Sequence, residues 1–398
     1  MKNMTNRAVF TAVAVFVIVS AAYAVPKVSN VEMTQREGTR IVDISYTLED
    51  EAAIVTLGIE TNSVALPDSA VTRLSGDVCK VIQPGANKSI VWNAGEDWPE
   101  NLTEIARAKV TAWSTNAPPQ VMVIDLRGGP NTNYYPMTYH VSTAALPYGG
   151  VTNHIYKNTR LVMRKIPNGS FNMGESPCEV TLTNDFYAGV FEVTQGQWKQ
   201  VMGGNPSGFS TDSDWMYRPV ENVTYNDIRG SSDGAGWPGS AKVDATSFMG
   251  RLRSKIGFSG FDLPTEAQWE YACRAETISY FNDGVSSSSS DIDILDGLAW
   301  YKDNAGGKTH LVGQKKPNEW GLYDMHGNVY EWCLDWYADL LEDGDNPKGA
   351  ETGDKRVLRS CGWNLYSTAA ACRSAARNKD VTSYMKSYVG FRLVRTLP

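Results

Sequence analysis

The sequence predicts two folded units in one chain, an all-β immunoglobulin-like sandwich followed by an α+β domain. Short runs with the period of a strand, separated by turn signals, fill residues 25–126. From residue 161 onward, strand and helix patterns follow one another in no regular alternation, which is typical of α+β domains. Residues 318–336 are dense in Trp, Gly, Asn and carboxylates and fit neither period, so we expect an ordered, irregular core segment there.

Composition limits the class of protein. The chain has 398 residues, enough for two domains, and its 20% charged and 42% hydrophobic residues are ordinary for a globular protein. The net charge is −7 and no run rich in Lys or Arg occurs, which argues against a nucleic-acid partner. The 35 glycines and 12 tryptophans favour a loop-rich fold held by aromatic side chains.

The N-terminus has the pattern of a secretory signal peptide. Lys2 and Arg7 precede the apolar residues 8–20, and residues 22–24 (Ala-Tyr-Ala) form a cleavage site, so the mature chain is expected to begin at Val25. The alternative is an uncleaved membrane anchor. We expect an exported protein, periplasmic, cell-surface or extracellular, with no membrane span after cleavage. Export permits disulfides.

The first unit, residues 25–127, is expected to be the sandwich, with strands at residues 40–46, 53–59, 88–92, 108–113 and 120–126. Its lone Cys79 offers no disulfide between sheets, and nothing in it has a catalytic pattern, so a spacer or adhesion role is expected. Residues 128–160 form a connector whose tyrosines indicate packing against other parts of the protein.

The second unit, residues 161–398, carries two helix starts of the capping-box type, Thr194-x-x-Gln197 and Thr265-x-x-Gln268. Trp269, Ala272 and Cys273 form the buried stripe of the second of these helices. Another helix is expected from Asp244, with Phe248 and Leu252 on one face. Residues 282–297 predict a loop, and residues 357–359 and 391–394 predict strands.

Several motifs carry a resemblance to a known family. The segment G-L-Y-D-M-H-G-N-V-Y-E-W-C at residues 321–333 closely resembles the signature of the formylglycine-generating enzyme family, also called the sulfatase-modifying-factor domain. Further matches, in family order, are I-P-N-G-S-F-N-M-G at 166–174, V-T-Q-G-Q-W at 193–198, N-P-S-G-F at 205–209, P-V-E-N-V at 219–223, D-L-P-T-E-A-Q-W-E-Y-A-C-R-A at 262–275, C-R-S-A-A-R at 372–377 and G-F-R-L-V-R at 390–395. The resemblance implies a loop-rich, C-type-lectin-like fold.

Members of the family oxidise a cysteine of a sulfatase to formylglycine with O₂, and they bind Cu(I) through two cysteines, because soft thiolates suit this ion. The corresponding interval here, residues 363–371, contains no cysteine. Cys361 and Cys372 flank it and are only weak catalytic candidates, so we assign no catalytic residue and expect no copper. Whether the chain is an enzyme stays open at this stage.

The resemblance also implies one disulfide, Cys273–Cys372. By residues alone, six cysteines allow 15 connectivities, and Cys333 and Cys361 are either a second pair or two buried thiols.

Calcium, unlike copper, is a cofactor that the resemblance still predicts for this chain. The signature loop would bind structural Ca²⁺ through the side chains of Asp324 and Glu331 and the carbonyls of Gly327 and Val329. On the residues alone, both carboxylates serve equally well as acceptors for turn amides. The four histidines are scattered, so a histidine metal site is not expected, and His326 is interpreted as a turn residue bonded to the backbone.

Two functions follow from this reading. The first is a non-catalytic, monomeric module that binds a peptide or glycan in a groove beside Trp363 and Arg373. The alternative is a formylglycine-generating oxidase that acts on an exported sulfatase with an unrecognised set of metal ligands.

Overall fold

The computed structural model describes residues 25–67, 70–99, 103, 105–176, 178–257, 260–364 and 369–398. The predicted signal peptide, residues 1–24, lies outside them. Among the described residues, no helix has both the length and the apolar character needed to cross a membrane.

The first unit is built from strands that pair antiparallel in two sheets. The strands and one short helix are β1 (Lys27–Gln35), β2 (Ile41–Glu49), β3 (Ala53–Thr61), β4 (Val64–Ala65), β5 (Leu74–Gly76), β6 (Val81–Ile82), β7 (Gly85–Asn93), α1 (Ala94–Asp97) and β8 (Ala106–Ser114). One sheet has the order β1-β2-β7-β5, and the other has the order β4-β3-β6, with β8 also paired to β3.

Alternating side chains of the two sheets share one core. Val42, Ile44 and Tyr46 of β2 point inward and pack in the same cluster as Val55 of β3 and Trp92 of β7. The predicted strands at 40–46, 53–59, 88–92 and 108–113 are confirmed. Two sheets around one core are what an all-β sandwich requires; its immunoglobulin-like topology stays a prediction.

The last strand expected in the sandwich joins the second unit instead. Residues 121–125 do form a strand, but it pairs with strands that follow it in the chain and with none of the sandwich strands. Val121, Met122, Val123 and Ile124 are all buried. Met122 and Ile124 pack in one apolar cluster and Val121 and Val123 in another, so both faces of the strand are covered. The second sheet system therefore begins before the expected boundary at residue 127.

The second unit contains the remaining strands and helices. They are β9 (Val121–Asp125), β10 (Met137–His140), β11 (Arg160–Ile166), β12 (Gly169–Asn172), β13 (Glu179–Leu182), β14 (Phe186–Gly189), α2 (Gln195–Met202), α3 (Tyr225–Arg229), α4 (Phe248–Ile256), β15 (Phe261–Asp262), α5 (Glu266–Arg274), α6 (Ile292–Leu298), β16 (Ala299–Trp300), β17 (His326–Gly327), β18 (Tyr330–Trp336), β19 (Gly344–Asp345), β20 (Arg356–Arg359), β21 (Asn378–Asp380), β22 (Val389–Gly390) and β23 (Val394–Thr396). Short 3₁₀ turns lie at Thr143–Ala145, His154–Lys157, Trp215–Tyr217, Asp233–Gly236 and Ala369–Cys372.

Two sheets organise this unit. The larger has the order β10-β9-β11-β14-β23-β15, and the sheet that carries the signature segment has the order β21-β20-β18-β22. A three-stranded sheet, β12-β13-β19, and the pair β16-β17 contain the other strands of this unit among the described residues. Helices and strands are mixed in this unit, which is rich in sheet and has few helices.

The two predicted capping boxes form as expected. Thr194 and Gln197 cap α2, and Thr265 and Gln268 cap α5, each pair bonding reciprocally to the other's backbone amide. The helix expected from Asp244 begins at Phe248, because the hydroxyl of Ser247 caps it.

Two local expectations were wrong. The predicted loop at 282–297 contains the start of α6, because Leu295 and Leu298 bury an apolar face. The signature segment contains the seven-residue strand β18, whose first six residues are buried. A strand covered on both faces shows no alternation of polar and apolar residues, so its period was hidden.

Candidate functional site

A groove of about 690 Å³ opens beside the end of the signature sheet. Its walls come from the turn between β12 and β13, from the segment after β18 and from the segment before β21. The side chains that give it its chemistry are Glu175, Cys178, Tyr330, Leu340, Leu341, Arg373 and Arg377. A volume of this size is typical of ligand sites. Arg373 lies at the groove as expected, whereas Trp363 packs against Phe209 and Tyr388.

A disulfide lies directly behind the groove. It joins Cys361 to Cys372, whose Cα atoms are 5.0 Å apart. The expected pairing Cys273–Cys372 is therefore wrong in this structure. Cys273 is buried on α5, where its sulfur lies 3.9 Å from the Met325 carbonyl oxygen and 3.9 Å from Nε2 of His326. His326 thus occupies the space between α5 and the backbone of Cys372, and Cys361 at the end of β20 is the cysteine that reaches Cys372.

The other cysteines are free thiols, namely Cys79, Cys178, Cys273 and Cys333. Burial raises the pKa of Cys79 and of Cys273 to about 12, and it raises the pKa of Cys333 well above its usual value. Cys178 is half-buried in the groove wall, and burial raises its pKa as well. Because only thiolates are good metal ligands and nucleophiles, these cysteines are poorly suited to either task at neutral pH.

Two arginines give the groove a positive side. Arg373 meets Glu175 with an Nη2–Oε1 distance of 2.5 Å, and the side chain of Glu175 is 57% exposed. Arg377 donates from Nε and Nη2 to the two oxygens of Glu266, at 2.6 and 2.8 Å. The Arg377–Glu266 pair is bidentate and almost buried, so its geometry is fixed. The Arg373–Glu175 pair lies at the surface, where an ion pair contributes little to stability and exchanges readily.

A chain of buried ion pairs supports the groove from below. Arg359 lies 3.3 Å from Glu266 and 2.6 Å from Glu270. Glu270 also pairs with Arg274 and accepts a hydrogen bond from the backbone amide of Gly174, which begins one groove wall. This network fixes the wall's backbone to α5 and β20, because breaking a buried pair leaves an uncompensated charge.

The calcium residues expected in the signature loop lie in a different chemical setting. Glu331 accepts hydrogen bonds from Nε of Arg392 on both oxygens, at 3.1 and 2.8 Å, and from Nη2 of Arg392 at 2.7 Å. The indole nitrogen of Trp269 donates a fourth, at 2.7 Å. Three N–H groups thus make four contacts to the two carboxylate oxygens, since Nε of Arg392 is shared between them. As it lies here, Glu331 does not fit the role of a calcium ligand.

Asp324 retains one free acceptor. Its Oδ2 accepts from the amide of Gly313 at 2.7 Å, while its buried Oδ1 has no hydrogen-bond partner among the residues that the structure describes. Burial raises the pKa of Asp324 to about 6. Nearby Glu192 bonds to Asn328 and to the amide of Val329, and burial together with the Asp324 charge raises its pKa well above its usual value.

Two of the four expected calcium ligands, Glu331 and Gly327, are therefore already engaged in other hydrogen bonds. Gly327 is committed through its amide and carbonyl to the hydroxyl of Ser360, and no cluster of three or more His, Cys, Asp or Glu side chains suited to a metal is found in the described part of the chain. Calcium binding itself stays a prediction that rests on the resemblance.

His326 is a structural residue, as predicted. Its Nδ1 lies 2.7 Å from the carbonyl oxygen of Cys372, and its Nε2 lies 3.1 Å from the amide nitrogen of Asn282. An amide only donates, so Nε2 is the acceptor and Nδ1 carries the proton. Burial lowers the pKa of His326 to about 4. The neutral ring therefore ties the disulfide segment to the signature loop.

Comparison with known families agrees with this architecture. The family model described as the sulfatase-modifying factor enzyme 1-like domain (FGE-sulfatase) matches residues 153–397, more than half of the chain. The chain belongs to this family. Among its relatives, the chaperone protein LppX of Paenibacillus barcinonensis is 35% identical over 233 residues, which cover 50% of this chain and 77% of LppX. The formylglycine-generating enzyme of Mus musculus is 25% identical over 278 residues, covering 58% and 74%.

A solved structure of similar fold is the Treponema denticola variable protein 1. It is 30% identical in sequence and covers 60% of this chain and 96% of its own, with a TM-score of 0.49.

Several residues of this FGE-sulfatase site escaped sequence reasoning. Glu266, Glu270 and Arg274 recur at a spacing of four on α5, which is the helical signal for an ion-pair ladder. That spacing alone would have identified the Glu270–Arg274 pair. The partners Arg359 and Arg377 come from distant segments, and nothing local indicates which carboxylate each one meets. Cys178 likewise reaches the groove only through the β12–β13 turn.

We expect peptide mapping to show the disulfide directly. The protein is unfolded in denaturant without reductant, alkylated, digested and examined by mass spectrometry. A linked peptide pair containing Cys361 and Cys372 is expected, with alkyl groups on Cys79, Cys178, Cys273 and Cys333. A linked pair containing Cys273 and Cys372 would contradict this assignment.

The buried His326 predicts a specific loss of stability in acid. Its folded pKa of about 4 lies below the ordinary value near 6.5, so the unfolded chain takes up a proton first as the pH falls. The stabilisation that results from the lowered pKa of His326 is present above pH 6.5 and is lost as the pH falls towards 4. In urea unfolding, the advantage of the wild type over His326→Gln should shrink by about 2–3 kcal/mol between pH 7 and pH 4.5. A constant difference between the two proteins would argue against the neutral ring.

Removing the Glu331 carboxylate should destabilise the fold whether or not calcium is present. Glu331→Ala leaves the buried Arg392 without its partner, so the free energy of unfolding should fall by about 3–5 kcal/mol. Unfolding is measured in calcium chloride and in chelator, with Glu319→Ala as a control for losing a carboxylate outside the pair. A loss confined to the calcium buffer would instead assign the Glu331 oxygens to calcium.

Proposed function

We propose that this protein is a non-catalytic member of the formylglycine-generating enzyme family that binds an extended peptide segment of another protein in the groove. The observation that carries the proposal is the Cys361–Cys372 disulfide behind the groove. It takes up the two cysteines nearest to the interval in which the family's copper ligands are expected.

The chemistry of the sulfurs supports the absence of oxidase activity. A disulfide sulfur carries no thiolate charge, and Cu(I) is held by thiolates. The interval between the two cysteines offers Ser, Thr, Asn, Tyr, Trp, Leu and Ala, none of which replaces a thiolate for this ion. The free thiols of Cys273 and Cys333 are buried in the core behind α5, where burial keeps them protonated.

The groove itself has the features of a peptide site. Leu340 is 85% exposed at its rim although it is a large apolar side chain, and Leu341 lines the floor beside it. Arg373 faces the same space, where its Nη2 pairs with the exposed carboxylate of Glu175 and its Nε donates to the Ala370 carbonyl at 2.5 Å. A partner carboxylate can replace Glu175 on Arg373 while an apolar partner side chain covers Leu340. We therefore expect a peptide that combines one acidic and one apolar side chain.

Similarity to a chaperone supports a protein partner. LppX, which is named a chaperone protein, shares 35% identity over 77% of its length. A peptide-binding groove on a rigid frame suits such a role, since an extended segment offers side chains and backbone together.

The predicted signal peptide and the disulfide support a location outside the cytoplasm, because disulfides persist in oxidising compartments. We propose that the protein works there as a monomer, with the N-terminal unit as a spacer.

Binding to an array of short random peptides tests the groove. The labelled wild type should retain peptides that pair a carboxylate with an apolar side chain. Leu340→Asp and Arg373→Glu should each weaken this binding at least tenfold, which is about 1.4 kcal/mol. Val64→Asp, at an exposed apolar position of the N-terminal unit, is the matched control and should bind like the wild type. If no peptide is retained, or if Leu340→Asp retains the same peptides, the proposal fails.

Oxidase activity is the contrary outcome and has its own test. The protein is incubated with Cu(I), a reductant and a C-x-P-x-R peptide, and O₂ consumption and the mass of the peptide are followed. We expect neither copper-dependent O₂ uptake nor formylglycine. Turnover that is lost in Cys372→Ser would show an enzyme with an unrecognised ligand set.

A further inference from the structure

A second cavity, separate from the groove, lies where the N-terminal unit meets the larger sheet of the second unit. It measures about 720 Å³, and we call it the junction cleft. One wall is formed by β3 and β8, and the other by β10, β11 and the residues that follow β9. Hydrogen bonds tie the two sides together, from Tyr134 Oη to the Leu74 carbonyl at 3.1 Å and from the Met137 amide to the Cys79 carbonyl at 3.1 Å. The cleft is therefore preformed, and junctions of this kind are frequent ligand sites.

The charges that face the junction cleft are mostly positive. Among the described residues that line it, Arg73, Lys109, Arg127 and Arg160 are basic and Asp125 is the one carboxylate. Asp125 is already neutralised, since Nη2 of Arg127 lies at 2.7 Å and Nε of Arg160 lies at 3.4 Å. The excess positive charge selects an anion.

Two cations in the cleft are available to such an anion. Lys109 is exposed and has no hydrogen-bond or ion-pair partner among the described residues. In the part of the chain that the structure describes, the guanidinium of Arg73 makes one ion pair, with Glu96 at 3.4 Å, and both side chains are more than half exposed. Ion pairs of that kind are weak and exchange easily.

The rest of the wall offers flat aromatic surface and hydroxyl groups. Lys109, Thr111 and Trp113 alternate along β8 and therefore face the same side, toward the cleft. The indole nitrogen of Trp113 donates to Thr56 at 2.9 Å, which holds the ring in place. Tyr134 adds a half-buried ring on the opposite wall.

We propose that the junction cleft binds an acidic saccharide, a short chain of sugar rings that bears carboxylate or sulfate groups. Sugar rings present flat C–H faces that stack on Trp and Tyr, hydroxyls that match threonine, and anionic groups that pair with Lys109 and Arg73. The volume admits a ligand of two or three rings. The net charge of −7 opposes a long polyanion, so a short one is favoured. This site is independent of the peptide groove and does not rest on its function.

Calorimetric titration of the full chain tests the proposal with tri-galacturonic acid, a sulfated trisaccharide, maltotriose and tri-glutamate. The carboxylated or the sulfated sugar should bind, with an affinity that falls as salt is added, whereas maltotriose and tri-glutamate should bind at least tenfold more weakly. The two acidic sugars decide between carboxylate and sulfate.

Variants locate the site. Lys109→Glu and Arg73→Glu should each weaken binding of the preferred sugar at least tenfold, and Arg40→Glu, on the same unit but outside the cleft, should leave it unchanged. Absence of binding to both acidic sugars, equal binding of tri-glutamate, or equal loss in Arg40→Glu would overturn the proposal. Peptide binding in the groove is measured on the same variants and should not change, so failure here is distinguishable from failure of the proposed function.

Discussion

The buried ion pair between Glu331 and Arg392 is the interaction on which the second unit depends. Each side chain is almost completely inaccessible, and three N–H groups donate to the two carboxylate oxygens. The guanidinium also donates to the carbonyls of Gly189 and Tyr323, at 2.9 Å each. One pair thus joins β18, α5, β14 and the C-terminal segment. A site this heavily desolvated is stable only when it is complete, so none of these elements can move without the others.

The same arrangement separates the frame of the protein from its binding surfaces. The frame consists of fully satisfied buried pairs around Arg392 and Arg359, which hold the signature sheet and the wall of the groove. The charges that face the two cavities are held less firmly, since Arg373 and Arg73 each pair with an exposed carboxylate and Lys109 has no partner among the described residues. Substitutions at the rim can therefore change what these surfaces bind without lowering the stability of the fold. This explains how a chain retains the family's architecture while its cysteines near the groove are joined to each other.

Much of the second unit could be predicted because its signals are local or are carried by motifs. The capping boxes at Thr194 and Thr265 require only residues three positions apart, and both formed. The strand β18 was not predicted, since burial on both faces removes the alternation that identifies a strand. The strand β9 was predicted but was assigned to the wrong sheet, because a short apolar run does not indicate which strands it pairs with. The disulfide was mispaired because the resemblance supplied one partner for Cys372, while the ring of His326 fills the space between Cys273 and the Cys372 backbone.

The sequence by itself determined the family, through its motifs, and the helix starts at Thr194 and Thr265. Both are properties of short segments, because a motif is contiguous and a capping box joins residues three positions apart. Only the tertiary structure decided which cysteine meets Cys372, that Glu331 serves Arg392, and where the groove and the junction cleft lie. Those outcomes depend on distances between residues far apart in the chain, and pairing over such separations is set by the packing of the whole fold.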